Sequence, residues 1–198
     1  MRMWRALFAA GFLTACSQAS DSTGPEDAAA TPQFSLATSG VEQVTMAGTA
    51  LHLGKMSGGF VETTLGESSE VDPIVLVEGF PPQNPVPGTL VTFTGPQLFI
   101  GVLGTAAVGT YSVHKFGTHL KQRPEVYGVL TVRRADGGTR RYTLSDGTLT
   151  IQATRPLRGK FTFRSDTYTD WPAGPTPGTT APAQRGDLTI SGSFSPPS

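Results

Sequence analysis

From Phe34 to Phe194 the apolar residues recur in short runs at every second position, and no long segment carries the three-and-four spacing of a helix. Val44 and Met46, Leu51 and Leu53, Leu149 and Ile151, Phe161 and Phe163, and Leu188 and Ile190 with Phe194 all follow the two-residue period of a strand with one face buried. Tyr111 and Val113 are expected to point inward, with Thr110, Ser112 and His114 on the other side. Ile74–Val77 and Leu98–Leu103 are continuous apolar runs, which suit central strands covered on both faces. Further strands are expected at Phe60–Leu65 and Leu90–Thr94. Pro81 to Gly88 contains four prolines and must be a loop, because each proline removes a ladder donor. Trp171–Gly186 is a second Pro/Gly-rich loop. Val126–Arg134 and Arg140–Leu144 form the clearest hairpin, closed through Asp136-Gly137-Gly138. Asp146-Gly147 is read as another turn. About ten short strands predict an all-β fold: an antiparallel β-sandwich first, with a closed antiparallel β-barrel as the alternative.

The C-terminal third repeats one phrase. Gly147-Thr-Leu-Thr-Ile151 is followed by Gly159-Lys-Phe-Thr-Phe163, then Leu188-Thr-Ile190 and Gly192-Ser-Phe194. Over roughly residues 108–195 this resembles a pattern in bacterial envelope lipoproteins with an antiparallel β domain, and it carries no functional residues with it.

The start of the chain breaks the β pattern. A basic Met1-Arg2-Met3-Trp4-Arg5 precedes the apolar run Ala6–Ala15, interrupted by Gly11 and Thr14. That run is half the length of about 20 residues needed to span a bilayer, and it matches a secretory signal. Leu13-Thr14-Ala15-Cys16 resembles the bacterial lipobox. The resemblance implies cleavage before Cys16 and acylation of its sulfur and new amino group, by several chains. One chain holds a protein only marginally, at about 0.8 kcal/mol per buried methylene. Ser17 in place of aspartate implies export to the outer membrane if the host has two membranes. Ser17–Pro32 is small, polar and acidic and is expected to be a flexible tether. The expected organisation is therefore a signal peptide at 1–15, a lipidated tether at 16–32 and a single β domain at 33–198.

Composition narrows the chemistry. Cys16 is the lone cysteine, so its acylation would leave no thiol for a disulfide, a metal or a nucleophile. Residues 16–114 hold nine acidic residues against Lys55, a net of −8, whereas residues 115–198 hold six acidic against twelve basic, a net of +6. Four of the latter, Arg133, Arg134, Arg140 and Arg141, flank one hairpin tip. They are the candidate anion-binding residues, able to grip an envelope polyanion by paired contacts, or else a charged edge that discourages aggregation. Tyr168 and Trp171, beside prolines, are candidate ligand contacts of the kind that stack on sugars.

No catalytic motif emerges. Gly-x-Ser-x-Gly, phosphate-binding glycine loops and calcium ladders are missing from the sequence. The histidines are His52, His114 and His119; the last two have odd spacing and no acid between them, so no metal site is expected. The carboxylate pairs Glu70/Asp72 and Asp166/Asp170 fall in polar stretches expected to be solvated loops. No cofactor is implied. The expectation is a lipid-anchored, non-enzymatic structural or binding module, in contact with the membrane through Cys16 and with an envelope polyanion or glycan, and with no nucleic-acid partner. The alternatives are a lipocalin-like or carbohydrate-binding protein and, less favoured, a hydrolase using His114.

Overall fold

The computed structural model describes residues 33–55, 70–78, 95–114, 125–172 and 182–195, which fall within one compact unit, Thr31–Ser198. The segments expected to be a leader (1–15) and a tether (16–32, with Cys16), the strands expected at Phe60–Leu65 and Leu90–Thr94, the loop expected at Pro81–Gly88 and His119 lie outside the described residues. The described chain is all-β, as the two-residue period requires. Its strands are β1 (Phe34–Gly40), β2 (Thr45–His52), β3 (Val71–Glu78), β4 (Gln97–Leu103), β5 (Gly109–Val113), β6 (Glu125–Arg133), β7 (Thr139–Thr143), β8 (Asp146–Thr154), β9 (Leu157–Trp171) and β10 (Gln184–Phe194).

Hydrogen bonding gathers these ten strands into one mixed sheet rather than the two stacked sheets of a sandwich. Following the pairs from β1 through β2, β3, β4, β6, β7, β9 and β10 leads back to β1. The expectation of a fully antiparallel sheet fails at one place: β5 and β6 run parallel over Ser112↔Glu125 and Val113↔Val126. A segment of eleven residues separates them, so the chain has room to reverse before pairing.

The alternation seen in the sequence explains the burial. On β9, Leu157, Phe161, Phe163 and Ser165 are buried while Arg158, Lys160, Thr162 and Arg164 are exposed. One core takes side chains from every strand, including Phe34, Met46, Leu76, Ile100, Leu149, Phe163 and Ile190. Phe161 stacks on Phe163 and Phe194 with ring centroids 5.2 and 6.4 Å apart. As their unbroken apolar runs foretold, β3 and β4 are covered on both sides; Val71 and Tyr127, with Phe99 and Leu103, form a second cluster on the opposite face. Tyr127 crosses Gly101, where a Cβ would lie 2.3 Å from its ring, so that glycine makes the seat for the ring.

Two local features set the geometry of one corner. First, β7 and β8 act as halves of a single bent strand. The bend falls at Leu144-Ser145, whose amides donate to Gly128 O at 3.0 Å and Arg164 O at 2.8 Å. The expected turn at Asp146-Gly147 is instead the start of β8, and Gly147, at φ +116°, sits where a Cβ would be 2.2 Å from the Thr162 carbonyl oxygen. Second, β9 extends to Trp171 and β10 begins at Gln184, so strand pairing reaches into both ends of the expected loop.

Candidate functional site

The long strand β9 loses its ladders at one point. Toward β8 the pairing ends at Asp146↔Arg164, and toward β7 it resumes at Tyr142↔Tyr168. On the opposite side, the register with β10 shifts by a bulge between Arg185 and Leu188. The inward-facing phase of β9 changes there too. Ser165 is buried, but beyond it the side chain that packs on the core is Tyr168, three positions on. The Ser165 hydroxyl lies 2.6 Å from the Thr143 carbonyl and 2.8 Å from the Thr167 carbonyl, so its single proton serves whichever acceptor it faces.

A cleft of about 510 Å³ opens at this interruption, lined by Thr143, Leu144, Ser145, Asp146, Arg164, Ser165, Asp166, Thr167 and Asp187. Its rim is polar: three carboxylates, one guanidinium and several hydroxyls. None of these four charged side chains forms an ion pair among the described residues; Asp146 accepts only a local bond from Gly147 N at 2.8 Å. Bulges and ladder breaks of this kind re-aim side chains at a strand's edge.

Next to the cleft, the same end of the sheet carries the densest charge network of the described residues. Arg140 on β7 faces Asp170 on β9 in register and grips it with two bonds, Nε–Oδ1 at 2.7 Å and Nη2–Oδ2 at 2.9 Å. Arg134 approaches the same carboxylate at 3.6 Å and Asp136 at 3.0 Å. Glu42, from the β1–β2 turn, accepts a short hydrogen bond from the Tyr142 hydroxyl and stands 3.9 Å from Arg140. The Arg140 guanidinium lies 4.1 Å above the Tyr168 ring, which meets Tyr142 at 5.6 Å. Hydrogen bonding to Arg140 holds the Asp170 carboxyl below the usual carboxylate range, and the same bond raises Arg140. Burial, then the carboxylate of Glu42, pushes the Tyr142 phenol up.

These positions rearrange the sequence-based candidates. The four arginines do not form one patch. Neighbours on a strand point to opposite faces, so Arg140 goes to the core side with Tyr142 while Arg141 goes outward; Arg134 joins the inner network and Arg133 is exposed. The two inner arginines are matched by Asp170 and Asp136. Arg141 covers the Trp171 ring at 4.3 Å, on the outside. Tyr168 and Trp171 therefore part company: Tyr168 packs toward the core and donates to Gln184 Oε1 at 2.7 Å, whereas Trp171 is seated under an arginine. The paired carboxylates also separate. Asp72 is not in a solvated loop but buried in β3, and Asp170 is tied to Arg140 while Asp166 is exposed at the cleft.

Two histidine–carboxylate pairs lie outside this network: one at His52, the last residue of β2, and one at His114, just past β5, whose Ser112 pairs with Thr148 two residues from the cleft's Asp146. His52 Nε2 is 2.6 Å from Asp72 Oδ1, and Asp72 Oδ2 accepts from Ala106 N at 2.9 Å. His114 Nδ1 is 2.7 Å from Glu125 Oε2, in a pocket that leaves His114 2% exposed. Glu125 was missed as a partner because it lies eleven residues away across the parallel β5–β6 contact, a pairing the sequence does not signal. No hydroxyl of a described serine or threonine is hydrogen-bonded to either histidine, and no group of described ligand-type residues could hold a metal.

No family model matches the chain, and no curated protein or solved structure matches it. The cleft and its neighbouring network therefore carry the functional reading by themselves. Its residues could have been suspected only in part: Ser165 and Asp187 lie in ordinary alternating strands, and nothing local marks the switch of partners along β9.

Proposed function

We propose that this chain is a lipid-anchored envelope protein, held through acyl chains on Cys16, whose β domain is a non-enzymatic binding module that takes a polyhydroxylated ligand in the β9 cleft. The observation that carries the reading is the division of labour among the charges. Arg134, Arg140, Asp170 and Glu42 are engaged with one another, and both described histidines with Asp72 and Glu125. Asp146, Asp166, Asp187 and Arg164 surround an open cleft and have no ion-pair partner among the described residues. Groups already paired are poorly placed to grip a ligand, because a newcomer must displace a good bond, whereas the cleft groups exchange only water. Carboxylates beside a guanidinium and hydroxyls offer both acceptors and donors, which suits a sugar, and the surplus of acid favours one bearing an amine.

A lipocalin-like ligand cavity is less favoured, since the inward face is occupied by the packed side chains of the core. The membrane chosen, taken as the outer one from Ser17, remains part of the same proposal.

Two experiments test the reading. Labelling cells with an alkyne fatty acid should mark the wild-type chain and not Cys16→Ala; an unlabelled wild type, or a labelled variant, removes the anchor. Titrating the chain with neutral, amino and acidic sugars should give saturable binding that Asp166→Asn/Asp187→Asn weakens; turnover of a tested sugar derivative, abolished by His114→Ala, would replace the binding reading with the enzyme one.

A further inference from the structure

The repeated phrase of the C-terminal third has a spatial counterpart that the cleft does not use. Each copy places its apolar residues inward and its hydroxyl or cationic residues outward, and antiparallel registration then aligns the copies side by side. Across the sheet, Thr110, Thr150, Lys160, Ser193, Ser35 and Ala47 stand in register on the outer face. The next row is Ser112, Thr148, Thr162, Ser191, Ala37 and Thr45. Neighbours in a row are about 4.8 Å apart and the rows about 6.8 Å, the spacings of a pleated sheet. Thr110 and Thr150 bring their hydroxyls within 3.5 Å.

Cations run through this array in single file. Arg158, Lys160 and Arg164 all project outward from β9, are exposed, and have no ion-pair partner among the described residues. From Arg158 to Arg164 the file spans about 20 Å at roughly 3.4 Å per residue. No carboxylate stands in the two hydroxyl rows; the acids of this side, Asp146, Asp166 and Asp187, gather at the cleft beside Arg164.

We propose that the outer face of β5, β8, β9, β10 and β1 is a docking surface for a linear carboxylated polysaccharide running along β9. Charge complementarity selects a polyanion, and the straight file of cations selects an extended one. The hydroxyl rows on both sides supply the donors and acceptors that a sugar ring requires. A bilayer surface is a poorer match. The exposed large apolar residues of the described chain are Val41, Leu53 and Val108, none of them in these rows, so the face has nothing to insert among acyl chains. A single-stranded nucleic acid is also a poorer match, because the rows hold no aromatic ring for bases to stack on. This inference shares Arg164 with the cleft but does not rest on it: Arg158 and Lys160 stand outside the cleft lining, and the cleft can fail while the face stands.

The test is binding of the full chain to polygalacturonate, to dextran, to anionic phosphatidylglycerol vesicles and to an oligothymidylate, at 50 and 300 mM NaCl. The expected result is saturable binding to polygalacturonate alone, at least tenfold weaker at the higher salt. Arg158→Gln/Lys160→Gln should weaken it at least tenfold with the thermal midpoint unchanged. Arg133→Gln/Arg141→Gln, which removes the same charge from β6 and β7, outside the proposed face, should change it less than threefold. No binding to polygalacturonate, equal binding to dextran, preference for the vesicles or the oligonucleotide, or an equal loss in the two double variants would each overturn the proposal.

Discussion

The Arg140–Asp170 pair joins β7 to β9 beside the cleft, and replacing Asp170 by asparagine isolates its contribution. The substitution preserves shape but removes the charge that Arg140 faces through two bonds of 2.7 and 2.9 Å. The pair is neither buried nor free: the side chains are 23% and 14% exposed for Arg140 and Asp170. Exposed pairs are worth about 0–1 kcal/mol, and breaking a buried one costs about 3–5 kcal/mol. With two-pronged geometry, a ring beneath Arg140 and Arg134 sharing the carboxylate, a loss of about 2–3 kcal/mol is expected. For a domain of this size, at about 2–4 °C per kcal/mol, that is a fall of about 4–12 °C in the thermal midpoint. The sign of the pH dependence follows from the depressed carboxyl. Its contribution is complete above the unfolded value of about 4 and disappears as pH falls through the lower folded value. The gap between wild type and Asp170→Asn, measured by urea unfolding at unchanged slope, should therefore shrink between pH 5 and pH 2. A loss below about 0.5 kcal/mol at pH 7, or a gap that persists undiminished at pH 2, would show that the pair does not hold β7 to β9.

Other outcomes follow from single contacts. Gly147→Ala places a Cβ 2.2 Å from the Thr162 carbonyl at a positive φ and should cost about 3 kcal/mol or more, read by chemical denaturation. Tyr127→Phe should be neutral or stabilising by about 1–2 kcal/mol in the same assay, because the buried Tyr127 hydroxyl has no hydrogen-bond partner among the described residues. Ser165→Ala should cost about 1–2 kcal/mol and raise amide exchange at the β9 break, since the carbonyls of Thr143 and Thr167 lose their shared donor. Glu125→Gln should destabilise by about 1–3 kcal/mol through the buried His114, read by chemical denaturation.

How much of this was legible in the sequence depended on how local the cause was. The strand faces were, because alternation is a property of neighbouring residues: Tyr111 and Val113 are buried with Thr110 and Ser112 exposed, and Phe161 and Phe163 face the core. His114, expected on the outer side with Thr110 and Ser112, is instead buried, because β5 ends at Val113 and the ring beyond it turns to Glu125. The β6–β7 hairpin was legible for the same reason, through the turn chemistry of Asp136-Gly137. Long-range pairing was not. The parallel contact of β5 with β6 brings Glu125 to His114 across eleven residues, and the partner switch of β9 makes the cleft without any unusual residue at Ser165. The four arginines show a different failure. Period-two geometry already separates Arg140 from Arg141, but only the registration of β7 on β9 reveals that the inner one meets Asp170. The repeated Gly-Thr-apolar phrase was visible as a string, whereas its meaning as rows of hydroxyls needed the register of five strands.

If the break in β9 is a ligand site and not merely a fold irregularity, its backbone must respond to a sugar. Backbone amide NMR of the chain during titration with an amino sugar oligomer addresses it directly. Saturable shifts are expected, centred on Ser165, Asp166, Thr167 and Asp187 and reduced in Asp166→Asn/Asp187→Asn. Shifts confined to the far end of β2 and β3, near His52 and Asp72, or no shifts across the sugar series, would show that the break binds no ligand.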